Sequence, residues 1–130
     1  MVWSGWPLQR MLVAFVGVAY AMLLGQVYLF HDRQNFRHWA MPLPVLGAAA
    51  VALASLALSL MNTSWLVPIL NIILAIAAVE GVIGLYYHLT GVGNRIGGYV
   101  QQNFEKGPPP FLPVVFSALA VLGFLALWWR

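Results

Sequence analysis

Glu80 and the three histidines are the side chains of this sequence whose types best suit chemistry. Glu80 lies within a long apolar run, eight residues before His88. A charged carboxylate inside hydrocarbon costs roughly 3 kcal/mol, so such a residue usually faces the interior of a helix bundle, pairs, or stays protonated. Tyr87 shares a helical face with Glu80, and Gln26 lies at a similar depth in the first apolar run. The sequence predicts both as neighbours of the carboxyl group.

Several roles of Glu80 are compatible with this position. It could carry a proton or a cation, or hydrogen-bond a quinone or another lipophilic ligand. It could also form a salt bridge to a subunit outside this chain. Its carboxyl group could instead fix the register of the helices, as buried polar groups do in membrane bundles.

The histidines form a second candidate site. His31, His38 and His88 are the three histidines of the chain, and a four-helix threading places them all at the same membrane face. Three imidazoles can hold zinc or copper, and two imidazoles on different helices can ligate haem b. They lack the spacing of three or four residues that marks a metal motif, so no cofactor is the expectation and haem b or a transition metal is the alternative.

The composition positions these residues in a membrane. The chain has 130 residues, of which 62% are hydrophobic and 7% charged, whereas soluble domains are about 25% charged. A spanning helix needs about 20 apolar residues to cross about 30 Å of hydrocarbon. The sequence therefore predicts an all-α integral membrane protein, a single domain whose four transmembrane helices form a compact bundle. The predicted spans are about 8–30, 42–61, 65–88 and 111–129, with a long interfacial loop at 89–110 between helices 3 and 4.

Small residues recur at helical spacing in every span, which predicts close helix packing because small side chains let backbones approach in lipid. The predicted packing residues are Ala14, Gly17, Ala21, Gly25, Ala48, Ala52, Ser55, Ser59, Ala77, Gly81, Gly84, Ser117, Ala120, Gly123 and Ala126. Large apolar residues are expected to face lipid or a partner subunit: Leu12, Phe15, Ile72, Ile76, Phe116 and Leu125.

Charge predicts the orientation. Arg10 and Arg130 fall on the side of both termini, while Arg33, Arg37, Arg95 and Lys106 fall on the side of the two longer connections. Positive residues favour the cytoplasm, so both termini are expected on the non-cytoplasmic side, and the bacterial inner membrane is the expected location.

The 89–110 loop is expected to meet either another protein or lipid headgroups. It combines glycines with Arg95, Tyr99 and Phe104, and it ends in Pro108, Pro109 and Pro110. Polyproline is stiff and extended, so it should fix how the last span follows the loop.

Several chemistries find no support. The chain has no cysteine, which excludes disulfides and thiolate metal sites, and it lacks the basic stripe of a nucleic-acid-binding protein. Its serines lie away from the histidines, and no phosphate-binding glycine motif is present.

The leading prediction is a noncatalytic accessory subunit of a larger membrane complex, such as a bacterial respiratory, photosynthetic or other oxidoreductase assembly, with lipids and other membrane subunits as partners. One alternative is a haem- or metal-binding anchor that exchanges electrons with quinone. The other is a small proton-coupled transporter that uses Glu80.

Overall fold

The computed structural model describes residues 1–129, and within them it is all-helical. Four helices are long and apolar enough to span a membrane, which confirms the prediction of an all-α integral membrane protein. Arg130, which entered the charge comparison, lies outside the described residues. The helices are α1 (Leu8–Asp32), α2 (Pro42–Met61), α3 (Leu66–Thr90), α4 (Gln101–Lys106) and α5 (Phe111–Trp128), and a π-helical segment (Gly91–Gly97) continues α3.

The four spanning helices form a ring. Helix α1 packs against α2 and α5, and α3 packs against the same two helices; within residues 1–129, the backbones of α1 and α3, and those of α2 and α5, do not approach each other closely. Successive spans run antiparallel. One end of the bundle, here called the tryptophan end, holds residues 1–7, the 62–65 connection and the end of α5. The other, the histidine end, holds the 33–41 connection and residues 91–110.

Helices α3 and α5 meet through backbone at Gly81. A Cβ atom there would lie 2.7 Å from the Pro113 carbonyl oxygen and 2.8 Å from the Ser117 nitrogen. The Ser117 hydroxyl donates to the Ala78 carbonyl oxygen at 2.7 Å. Such close contact stabilises helix pairs in lipid, where water exclusion does not drive association.

The small-residue prediction is correct for much of α2, α3 and α5 but partly wrong for α1. Gly17 is buried against Leu56, whereas Ala21 and Gly25 are exposed, and a Cβ atom on Gly25 would meet nothing within 4 Å. Instead α1 turns Tyr20 inward. Its ring meets Phe116 edge to face at 5.0 Å, and its hydroxyl donates to the Phe116 carbonyl oxygen.

Phe116 was expected on the outer surface, and that expectation is wrong, because its side chain is only 2% exposed. An aromatic pair is stabilised beyond its buried area, by about 1 kcal/mol. The buried Tyr20 hydroxyl also needs an acceptor, since an unpaired one is costly in an apolar interior. Both requirements favour turning Phe116 toward α1.

Arg10 closes the tryptophan end. Although it is charged, it is buried, and it donates to the carbonyl oxygens of Ser59 at 2.7 Å, Leu60 at 3.4 Å and Gly5 at 2.5 Å. Its guanidinium lies 4.0 Å from the centre of the Trp6 ring. The last carbonyl groups of a helix have no partner within the helix and carry partial negative charge. Arg10 thus satisfies the end of α2 and keeps this end of the bundle packed.

The 89–110 segment is more helical than the predicted loop. Helix α3 runs to Thr90, the π-helical segment follows directly, and α4 contacts that segment before the chain enters α5. Glycines allow this arrangement because they lie where two parts of the segment pack against each other. A Cβ atom on Gly91 would lie 2.9 Å from Pro108 Cγ, and one on Gly107 would lie 3.0 Å from Val92 Cγ2.

Substitution of Gly81 tests the α3–α5 contact. Gly81→Leu should force these helices apart, because a side chain there would meet the Ser117 hydroxyl and also two backbone atoms that cannot rotate away, the Pro113 carbonyl oxygen and the Ser117 nitrogen; overpacking typically costs about 1–3 kcal/mol. Gly25→Leu is the matched control, since Gly25 is exposed and should change the free energy of unfolding by less than about 0.5 kcal/mol. The measurement is unfolding in mixed detergent micelles, and equal effects of the two substitutions would contradict the packing described.

Candidate functional site: a cavity at the histidine end

A cavity of about 680 Å³ opens at the histidine end of the bundle. All four spanning helices contribute to its wall, together with the 33–41 connection, the π-helical segment and the proline stretch before α5. Its volume falls within the range of about 300–1,000 Å³ that is typical of small-molecule sites. The cavity unites most of the residues that the sequence singled out.

Glu80 lies in the membrane-embedded part of this cavity. One of its carboxylate oxygens, Oε2, is buried and has no hydrogen-bond partner among the described residues. The carboxylate rests against α2 at Gly47, where a Cβ atom would collide with Oε2. Gly47 therefore leaves room for the Glu80 side chain between α2 and α3.

The structure does not bring Gln26 to Glu80. Gln26 is exposed on α1, and α1 stands diagonally across the ring from α3. Similar depth in the membrane was the basis of that prediction, and depth does not determine which face of a helix points inward.

Tyr87 does share the cavity with Glu80. Its ring lies 4.6 Å from the ring of His38, measured between centroids, and so connects α3 to the 33–41 connection. Gly84, one turn before Tyr87, also lines the cavity and packs against Pro113. The predicted common face of Glu80 and Tyr87, together with Gly84, therefore forms part of the cavity wall.

The three histidines also line the cavity, and backbone groups fix their rings. Nδ1 of His31 lies 2.7 Å from the Met41 carbonyl oxygen, and Nδ1 of His88 lies 2.7 Å from that of Pro109. A carbonyl only accepts, so both Nδ1 atoms carry hydrogen. In the neutral rings, Nε2 is then free to accept a hydrogen bond or to bind a metal.

The hydrogen bond at Nδ1 of His38 has the opposite direction, because here Nδ1 is the acceptor. Its Nδ1 accepts the backbone N–H of Ala40 at 3.1 Å, so a neutral His38 carries its hydrogen on Nε2. The site thus offers two imidazole acceptors and one imidazole donor.

The histidines do not form a cluster of three metal ligands. Within residues 1–129, no group of three or more histidine, aspartate or glutamate side chains is placed to hold a metal ion. Haem ligation needs only two imidazoles, so that alternative stays a prediction.

Four cationic side chains line the outer part of the cavity: Arg33, Arg37, Arg95 and Lys106. All four are exposed, so the cavity reaches the surface of the protein here. Glu80 is the one acidic residue among the described lining residues. The sequence indicated these cations as determinants of orientation, and it gave no sign that they converge.

The predicted interface-loop residues divide into two groups. Arg95, Pro108 and Pro109 line the cavity, and Pro110 immediately precedes α5. Tyr99 is exposed, lies over Gly93 and is 6.1 Å from the ring of Phe104 between centroids. Part of the segment therefore forms a wall of the cavity, and Tyr99 forms its outer surface.

The histidine tautomers provide a direct check of this geometry. In protein labelled with ¹⁵N-histidine and held in micelles at high pH, His31 and His88 should carry hydrogen on Nδ1, and His38 on Nε2. Nitrogen chemical shifts distinguish the two forms, and assignment by single His→Gln variants identifies each signal. Three rings with the same tautomer would contradict the hydrogen bonds described.

Comparison with known proteins adds no relative from which function could be transferred: neither a protein-family description, nor a curated protein, nor a solved structure matches the chain. The chemistry of the cavity is therefore the basis for assigning a function.

Proposed function

We propose that this protein is a noncatalytic membrane subunit that binds a small lipophilic molecule in the cavity at the histidine end. The main support for this proposal is the cavity, which lies between all four spanning helices and is lined by Glu80, Tyr87 and the three histidines. A ligand site of this kind is a mostly apolar recess with a few polar groups that fix orientation.

The wall of the cavity supports a lipophilic occupant. Its membrane-embedded part includes Val27, Phe30, Ile83, Leu112 and Phe116, which offer apolar contact. Burying apolar surface contributes about 25 cal/mol per Å², although a ligand that leaves lipid gains less than one that leaves water. The hydrogen-bonding groups then add selectivity, because an unmatched polar group in this setting is costly.

The unpartnered Glu80 oxygen favours a ligand with a polar group. Oε2 is buried without a partner among the described residues, and a buried carboxyl oxygen left unsatisfied costs roughly 1–3 kcal/mol. A hydroxyl or N–H donor on the ligand would give the carboxyl group a hydrogen-bond partner from the side of the cavity, which Glu80 lines, and would offset that cost.

Ile83→Trp tests the ligand site. Ile83 lines the cavity, so a larger side chain should narrow it and weaken binding by at least about tenfold, or 1.4 kcal/mol. The control is Ile76→Trp, because Ile76 lies two turns earlier on the same exposed face and outside the cavity wall. Native mass spectrometry of protein extracted in mild detergent should show a lipophilic molecule bound one to one in the wild type and in Ile76→Trp.

Both outcomes of that experiment are informative. Loss of the bound molecule in Ile83→Trp alone would support the cavity as its site. A wild-type protein that retains no such molecule, and binds none of a panel of added quinones and single-chain lipids, would overturn the proposal.

The outer faces of the bundle support membership of a larger assembly. Phe15, Ile72, Ile76 and Leu125 are exposed as predicted, and Trp128 and Trp129 add apolar surface at the tryptophan end. Membrane helices associate with neighbours through such surfaces as well as meeting lipid with them. We place the complex in the bacterial inner membrane, with the histidine end in the cytoplasm in accordance with its positive charge.

Copurification tests that assembly. A tagged chain expressed in its native host and extracted in mild detergent should bring down other membrane polypeptides at fixed stoichiometry, as measured by mass spectrometry. Migration as a lone monomer or homodimer under the same conditions would contradict the subunit proposal while leaving the ligand site standing.

Two narrower functions of the same cavity have specific support. The free Nε2 atoms of His31 and His88 suit a haem-binding anchor that passes electrons to quinone, because backbone hydrogen bonds at Nδ1 orient metal-ligating histidines in general. The unpartnered Oε2 of Glu80 suits a proton-coupled transporter. Both use fewer of the lining groups than ligand binding does, and the cationic residues have no role in either.

A further inference from the structure

The cationic residues of the histidine end converge on one space. Arg33 and Arg37 come from the 33–41 connection, Arg95 from the π-helical segment, and Lys106 from the end of α4. These three segments are separate in sequence, yet all four residues line the same cavity. Convergence from separate segments is a property of a binding site, in which charges meet around one ligand.

Membrane orientation alone does not account for this arrangement. The positive-inside bias concerns the number of cations in a cytoplasmic connection and is satisfied wherever on the surface they point. It also does not sort cations from acids within one connection. Here Asp32 and Glu105 lie beside the cations in sequence, but neither lines the cavity. Glu105 instead accepts a hydrogen bond from the Gln101 side chain at 3.0 Å.

The cavity therefore has two chemically different zones. Around Glu80, Ile83 and Phe116 it is mostly apolar, while its opening carries the four cations. Glu80 lies in the apolar zone and His88 lies nearer the histidine end. The two residues are about 12 Å apart along α3, at 1.5 Å per residue. An occupant that matches both zones has an apolar body inside the membrane and a negative group at its surface.

We infer that the cavity binds a single-chain lipid with a net negatively charged oxyanion head group, which Arg33, Arg37, Arg95 and Lys106 hold at the opening. Arginine suits this role because its planar fork donates two parallel hydrogen bonds to a phosphate or carboxylate. Inorganic phosphate alone leaves the apolar zone unfilled. This inference rests on the proposed lipophilic ligand and specifies its class.

Three probes separate the possible sources of the anion: 1-oleoyl lysophosphatidate, 1-oleoyl lysophosphatidylcholine and inorganic phosphate. The first two share one acyl chain and differ in head-group charge. In native mass spectrometry of the full chain in a nonionic detergent, lysophosphatidate should bind one to one, about tenfold or more tightly than lysophosphatidylcholine. Inorganic phosphate should bind at least about a hundredfold more weakly than lysophosphatidate, because it makes no apolar contact.

Charge-matched variants identify the residues responsible. R33Q/R37Q/R95Q should reduce the preference for lysophosphatidate over lysophosphatidylcholine to less than about threefold, whereas R33K/R37K/R95K, which keeps the charge but loses the planar fork, should reduce it less. Glu105→Gln removes a charge outside the cavity and should leave the preference unchanged. Because these side chains are exposed, none of the substitutions should prevent folding, and an unchanged unfolding transition verifies this.

The outcomes distinguish this inference from the function on which it rests. Equal binding of both lysolipids by the wild type would overturn the selection of a net negative head group, because choline balances the phosphate charge in lysophosphatidylcholine, but it would leave a lipophilic ligand site. Tight binding of inorganic phosphate alone would overturn the lipid and leave an anion site. Binding of no probe, together with no copurified lipophilic molecule, would overturn both.

Discussion

The backbone contact between α3 and α5 at Gly81 is the interaction on which the rest of the structure depends. With no side chain at that position, α3 approaches Pro113 and Ser117 closely enough to be held in one rotation. The preceding residue then points about 100° around the helix, as α-helical geometry requires. That residue is Glu80, and it meets Gly47 of α2. One glycine contact thus fixes where the carboxyl group lies, and a second glycine gives it space.

Hydropathy was sufficient to predict the four spans and to place all three histidines at one end, and the helical repeat was sufficient to place Glu80 and Tyr87 on a shared face. The rotation of α1 about its own axis, which decides which face points into the bundle, could not be predicted in the same way. In a soluble protein the apolar stripe identifies the buried face, but in α1 apolar residues surround the helix. Gly25 and Gln26 turn outward and Tyr20 inward because of a specific partner, Phe116 of α5, which is adjacent in space but far away in the sequence.

The cavity could not be predicted from the sequence either, for a different reason. Its wall combines short pieces from several elements, and no single piece has a recognisable motif. The glycines at 91 and 107 looked like loop residues, yet they let the π-helical segment and the proline stretch pack together as a wall. The cations looked like topology signals because sequence shows how many there are on each side and not which way they face.

Helix α5, which encloses the cavity, is synthesised after the other elements that line it. Every histidine and every cation that lines the described cavity precedes residue 111, whereas Pro113 and Phe116, which complete the wall, belong to α5. Membrane helices leave the ribosome in chain order, and domains form from the N-terminal side first. A nascent chain that has inserted α1 to α3 and extended through α4 therefore has its carboxyl group and its cations but lacks the part of the wall that α5 supplies, and insertion of α5 completes the site.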